Sequence, residues 1–182
     1  MRKIIFLDFD GVMDTAFYDS YLVKHHLPEV DSVGRPVFDP SCIANLKSII
    51  DTTGADVVVT SDWKYLDTYE QLLKMWEERS IPGFMTDTTP NVSKHRGDEI
   101  DQWLKECKED CCYVIIDDLD DSNFNKHQLN HLVTVNPYNG LDELCAKQAI
   151  AILQNPLNYK HKLLVTMKRK KCFSGLTGLL RK

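Results

Sequence analysis

Residues 3–14 read KIIFLDFDGVMD, and the fold follows from this stretch. Ile4, Ile5, Phe6 and Leu7 form a short apolar run rich in β-formers, ended by polar residues and a glycine. That pattern predicts a buried strand. Asp8 and Asp10 then stand at its carboxyl end, with Gly11 to let the backbone turn sharply. In open α/β sheets, ligands bind just beyond the carboxyl ends of the strands. Two carboxylates spaced by one residue suit a hard cation or phosphoryl chemistry there. An isolated Asp-x-Asp is more readily a pair of solvated acids, so the rest of the chain has to decide.

Further along, the same arrangement recurs. Val57, Val58 and Val59 form a β-branched run that ends in Thr60, Ser61 and Asp62. Tyr113, Val114, Ile115 and Ile116 form another, ending in Asp117 and Asp118. A fourth strand is predicted over residues 132–135. Helices separate them. Asp39 and Pro40 open one that Gly54 closes, with Ile43, Leu46 and Ile50 on one face. A second is predicted over residues 63–79, a third from Arg96 with Ile100, Trp103, Leu104 and Cys107 on one face, and a last over residues 141–153. Residues 15–38 and 86–93 show no period and are expected to be irregular. Strands alternating with amphipathic helices predict a three-layer α/β fold, with a Rossmann-like parallel sheet covered on both faces. The strand ends then lie along one edge, so acids and hydroxyls far apart in sequence converge.

The chain has 182 residues, 43% hydrophobic and 27% charged, the profile of one globular domain. No apolar run approaches the roughly eighteen residues that span a bilayer, and the N-terminus enters the first strand directly. A cytoplasmic location is expected. The six cysteines include no Cys-x-x-Cys, which argues for reduced thiols over a zinc site or redox pair. The net charge of −5 hides a division. Residues 159–182 carry eight Lys and Arg and no acid. A basic tail over residues 155–182, following a domain over residues 1–154, suits contact with an anionic surface, whether nucleic acid or membrane.

Each clustered residue type has a task in phosphoryl transfer. A carboxylate can attack phosphorus and split one displacement into two. A second can protonate the leaving oxygen and then deprotonate water. Magnesium relieves the repulsion between carboxylate and phosphate, while a hydroxyl and a cation hold the remaining phosphoryl oxygens. The sequence resembles the haloacid dehalogenase (HAD) superfamily of phosphatases over residues 3–154. Motif one is DFDGV from Asp8 to Val12, motif two is VVVT ending at Thr60, and motif four is VIIDD with Asp117 and Asp118. Motif three is a single basic residue, either Arg96 or Lys94. The segment RGDEIDQWL favours Arg96, because it resembles the helix start of the small HAD domain in multifunctional RNA-repair proteins. TSDWK and NPYNGL resemble that branch too.

The resemblance implies that Asp8 is the nucleophile, Asp10 the general acid/base, Thr60 a phosphoryl ligand and Arg96 its stabiliser. Gly11, Ser61 and Lys94 join the substrate-binding candidates. Magnesium is implied on the Asp8 carboxylate, the Asp10 main-chain carbonyl and either Asp118 or Asp117, with Asp118 in the better register. Neither gap between motifs is long enough for a folded cap domain. An open site is therefore expected, suited to a macromolecular or terminal phosphate such as a polynucleotide end. Tyr18, Tyr21, His25 and His26 are expected to edge its entrance. Lys64, Lys94 and His95 read as a solvated rim, and Trp63, Trp76 and Trp103 as packing residues. Two other functions compete: a catalytically silent binding module, and a phospho-acceptor resembling response-regulator receivers. Receivers place an adjacent acidic pair first and the acceptor Asp later. Here the spaced pair comes first, which favours the hydrolase.

Overall fold

The computed structural model describes residues 1–155. Five strands form one wholly parallel sheet: β1 (Arg2–Leu7), β2 (Asp56–Val59), β3 (Met85–Thr88), β4 (Cys111–Asp117) and β5 (Leu132–Thr134), in the order β3-β2-β1-β4-β5. The strand order reverses direction around β1, and this switch point is where such sheets open a crevice. The register aligns Leu7 with Val59 and Ile116. The polar residues that follow each strand therefore emerge at one level. The expected α/β architecture is what the chain adopts.

Alternation along β1 explains the layers. Ile5 and Leu7 face a core built with Val57, Val59, Val114 and Ile116, into which α2 (Pro40–Thr53), α3 (Tyr69–Glu78) and α5 (Glu143–Gln154) pack Leu46, Ile49, Leu72, Met75, Trp76 and Leu153. Ile4 and Phe6 face the opposite side, where α4 (Arg96–Glu106) supplies Ile100 and Trp103. Strands buried on both faces carry continuous apolar runs for this reason. The α2 helix begins as its sequence predicts: Pro40 occupies the first turn, and the Asp39 carboxylate accepts the Ser41 N–H at 2.7 Å.

Three segments depart from the sequence expectation. Residues 15–38 contain α1 (Ala16–Lys24), capped by the Thr15 hydroxyl. Only Leu22 of this helix is buried, so it carries no apolar stripe to read. Within the expected irregular segment after Met85, β3 adds an edge strand of four residues, too short and too polar (MTDT) to give a signal. The helix expected over residues 63–79 is two elements, a 3₁₀ turn over Asp62–Tyr65 and then α3. A capping box between Thr68 and Gln71 starts α3 afresh, which frees Tyr65 from the apolar face of that helix. Cys107 ends α4 and packs, partly buried, against the core on its inner face as expected, with its sulfur 3.2 Å from Cys111 Sγ.

Among the described residues, neither gap between the motifs holds a folded domain. The loop after α1 is pinned down by the Asp31–Arg79 and Arg35–Asp67 ion pairs, each at 2.7 Å. No helix of the described residues is long and apolar enough to cross a membrane. The basic tail, from residue 156 onward, lies outside the described residues.

Candidate active site

The ends of β1, β2 and β4 and the start of α4 meet at one point. Asp8, buried at the tip of β1, keeps its main chain in the sheet through its N–H to the Ile116 carbonyl at 3.1 Å. Its carboxylate Oδ1 accepts the Phe9 N–H at 2.9 Å. The chain then folds back tightly, with the Val12, Met13 and Asp14 amides all directed at the Phe9 carbonyl. Gly11 makes this possible with φ of +71°, in the left-handed region that a side chain disfavours. A Cβ at Gly11 would stand 2.7 Å from Asp118 Oδ2 and 3.0 Å from Pro137 Cβ. The glycine thus lets the first loop touch the acids of β4.

Arg96 is the hub. Its guanidinium donates to the Thr60 main-chain carbonyl at 2.6 Å and lies 3.4 Å from carboxylate oxygens of Asp8, Asp117 and Asp62. Burial works against its charge, but Asp8, Asp117 and Asp62 together outweigh that effect. The same burial pushes the Asp8 carboxyl upward, opposed by Arg96, by the Phe9 N–H and by the Ser61 hydroxyl. Asp117, fully buried, is pushed up to about 7 by desolvation and then by the Asp8 charge. Lys94 does not share this place. It is exposed on the segment before α4 and forms no ion pair with a described residue. Between the two candidate cations of motif three, the geometry brings only Arg96 to Asp8.

Asp8, Asp117 and Asp118 each offer a carboxylate oxygen, all within 4.8 Å of one another. With Asp10 beside them, these acids outnumber the one guanidinium. Three buried side-chain atoms among the described residues have no hydrogen-bond partner, and two of them, Thr60 Oγ1 and Asp117 Oδ2, belong to this cluster. Buried polar atoms are almost always satisfied, and orphans cluster where a ligand or ion belongs. An all-oxygen donor set with excess negative charge fits a hard divalent cation such as magnesium. Asp120 and Asp121 lie outside the cluster. Asp120 caps a short 3₁₀ turn, accepting the Ser122 N–H at 2.9 Å.

Three contacts around this cluster were not legible in the sequence. Trp63 packs against Phe9 and Phe38, as expected, but its indole N–H also donates to the Asp10 carboxylate at 2.9 and 3.1 Å. Nothing in the sequence pairs these residues. Lys64, expected on the rim, is buried: Nζ donates to Thr89 Oγ1 at 2.7 Å and to Glu99 Oε2. The pair ties the loop after Thr60 to α4, one turn beyond Arg96. Gln128, also fully buried, ties α4 to the segment before β5 through the Gly97 carbonyl, Asp101 and the Asn125 N–H. On α1, directly after the motif-one loop, Tyr21 stacks with Tyr18, and its ring centroid lies 4.2 Å from that of His25, which ends the helix.

A Rossmann-like sheet bearing spaced acids after its first strand, a hydroxyl after its second and an acidic pair at the end of β4 defines the HAD class of folds. A family model of the HAD domain in Swiss Army Knife RNA repair proteins matches residues 4–145. The chain belongs to that family. Comparison with curated proteins and with solved structures gives no match.

Proposed function

We propose that the protein is a magnesium-dependent phosphomonoesterase that works through an aspartyl-phosphate and acts on the phosphorylated end of a polynucleotide. The observation that carries this reading is the placement of Asp8. It is a buried carboxylate held between a guanidinium and two further acids, beside an unpartnered threonine hydroxyl.

Asp8 Oδ2 is the attacking atom, because Oδ1 is occupied by the Phe9 amide. Attack forms the Asp8–phosphoryl bond and breaks the bond to the leaving oxygen, which takes its proton from Asp10. Asp10 then removes a proton from water as that water breaks the acyl phosphate. The Trp63 indole fixes the Asp10 carboxylate in position for both transfers. The Thr60 hydroxyl and Arg96 hold the phosphoryl oxygens, and Ser61 supports Asp8. Asp8 and Asp118, with the Asp10 carbonyl, would hold magnesium, and Asp117 would lie behind them against Arg96. The ion supplies charge neutralisation for two anions brought into contact.

Two things favour the polynucleotide end: the absence of a cap among the described residues, and the RNA-repair proteins that name the family. The test is phosphate release from an aryl phosphate and from 3′- and 5′-phosphorylated RNA and DNA oligonucleotides. The expected result is turnover that needs magnesium, disappears in Asp8→Asn and prefers one type of end. Turnover that persists in chelator would refute the proposal.

A further inference from the structure

Next to the Asp8–Arg96 pocket lies an open groove of about 720 Å³, lined by Asp62, Tyr65, Asn91, Val92, Ser93 and Lys94. One wall is the 3₁₀ turn Asp62–Tyr65, and the other is the segment that leads from β3 into α4. Asp62 belongs to both places, since its carboxylate lies 3.4 Å from Arg96. Through Asp62 the groove borders the Asp8–Arg96 cluster.

Tyr65 is its most informative residue. The side chain is 49% exposed, yet it is held fast. Its hydroxyl donates to Glu99 Oε1 at 2.9 Å and lies 3.4 Å from the Ser93 carbonyl. Glu99 is itself immobilised in the interior by Lys64, which Thr89 also holds. An aromatic ring so anchored loses little freedom when a flat partner stacks on it. Stacking of this kind tolerates any base, because every base has a π-face. Lys94 is the one cation of the lining, exposed and without an ion pair to a described residue, which suits a phosphodiester. Asp62, already beside Arg96, disfavours a second phosphate next to the pocket. Only Tyr65 and Val92 are apolar in this lining, too few to build a pocket for a peptide side chain.

We infer that this groove binds the nucleotide adjoining the reacting phosphate, with its base on Tyr65 and the next phosphodiester at Lys94. The substrate class is thus a phosphorylated oligonucleotide terminus, not a small phosphate ester. The inference rests on the phosphatase reading above, but the groove can be tested separately from turnover.

Binding of a labelled, end-phosphorylated RNA pentamer is followed by fluorescence anisotropy in full-length Asp8→Asn, with magnesium present. Adding Tyr65→Leu or Lys94→Ala is expected to weaken binding about tenfold, the scale of one lost stacking or phosphate contact. Tyr65→Phe, which keeps the ring, should restore most of it, and Lys94→Ala should flatten the salt dependence. In the Asp8-containing protein, the ratio of kcat/KM on the pentamer to that on an aryl phosphate should fall by a similar factor. Unchanged RNA binding in both variants would overturn the inference, even if the protein proves to be a phosphatase. So would an equal loss on the pentamer and the aryl phosphate, or a preference for a phosphoserine peptide. RNA binding that depends on Tyr65, with no phosphate release from any substrate, would uphold the groove and refute the phosphatase reading.

Discussion

Gly11→Ala separates the chemistry of the first loop from its backbone strain. Gly11 has φ of +71° and Gly54, at the end of α2, has φ of +66°. An alanine in either place meets the same left-handed penalty, about 1–2 kcal/mol. Their surroundings differ. A Cβ at Gly54 meets nothing within 4 Å, whereas one at Gly11 would lie 2.7 Å from Asp118 Oδ2 and 3.0 Å from Asp118 Cγ. The Asp118 carboxylate must therefore leave the place it holds beside Asp8 and Asp117. In urea unfolding, Gly54→Ala should lose about 1–2 kcal/mol with an unchanged magnesium requirement for phosphate release. Gly11→Ala should lose at least that much and need roughly tenfold or more magnesium for half-maximal rate, the typical cost of disturbing a metal's surroundings. If the two variants proved alike in stability and in magnesium requirement, the assignment of Asp118 to the metal would be refuted.

Other expectations follow from the buried contacts. Lys64→Met leaves the buried Glu99 without its ion-pair partner, with the Tyr65 hydroxyl still on Oε1, and should cost about 3–5 kcal/mol by urea unfolding. Lys64→Met combined with Glu99→Leu should recover much of that loss. Gln128→Ala removes the side-chain bonds to the Gly97 carbonyl and Asp101, strands the Asn125 N–H and should cost about 1–3 kcal/mol, with kcat lowered through displacement of α4. In the metal-free protein, burial pushes Asp14 and Asp117 up to about 7, whereas unfolded they are ordinary carboxyls. The folded state then binds more protons between their unfolded and folded pKa values, so stability falls as pH rises from 5 to 7. Melting temperatures in chelator should show that decline, and magnesium should offset it. A flat profile in chelator would contradict the burial of both groups.

The sequence revealed most where local pattern and burial coincide. β1, β2 and β4 are apolar runs because both of their faces are covered, and the catalytic candidates follow them directly. The convergence of Asp8, Asp10, Gly11, Thr60, Ser61, Asp117 and Asp118 on one sheet edge was therefore legible from their positions at strand ends. What sequence could not give was set by tertiary contact. Lys64 resembles any surface lysine until Glu99 is seen one helical turn beyond Arg96. Trp63 looks like core until its N–H is found on Asp10. α1 and β3 escaped detection because an exposed helix and a polar edge strand leave almost no hydrophobic periodicity. The choice between Arg96 and Lys94 needed geometry too, since one residue along the chain separates a buried guanidinium from an exposed amine.

The central claim is that a phosphoryl group passes through Asp8. The most direct measurement is the mass of the Asp10→Asn variant after acid quenching from substrate and magnesium, with the modified peptide mapped. That variant can form the acyl phosphate but hydrolyses it slowly, so one phosphoryl group is predicted on Asp8 and none in Asp8→Asn. Phosphate release that continues in Asp8→Asn, or a phosphoryl group found on another residue, would contradict it.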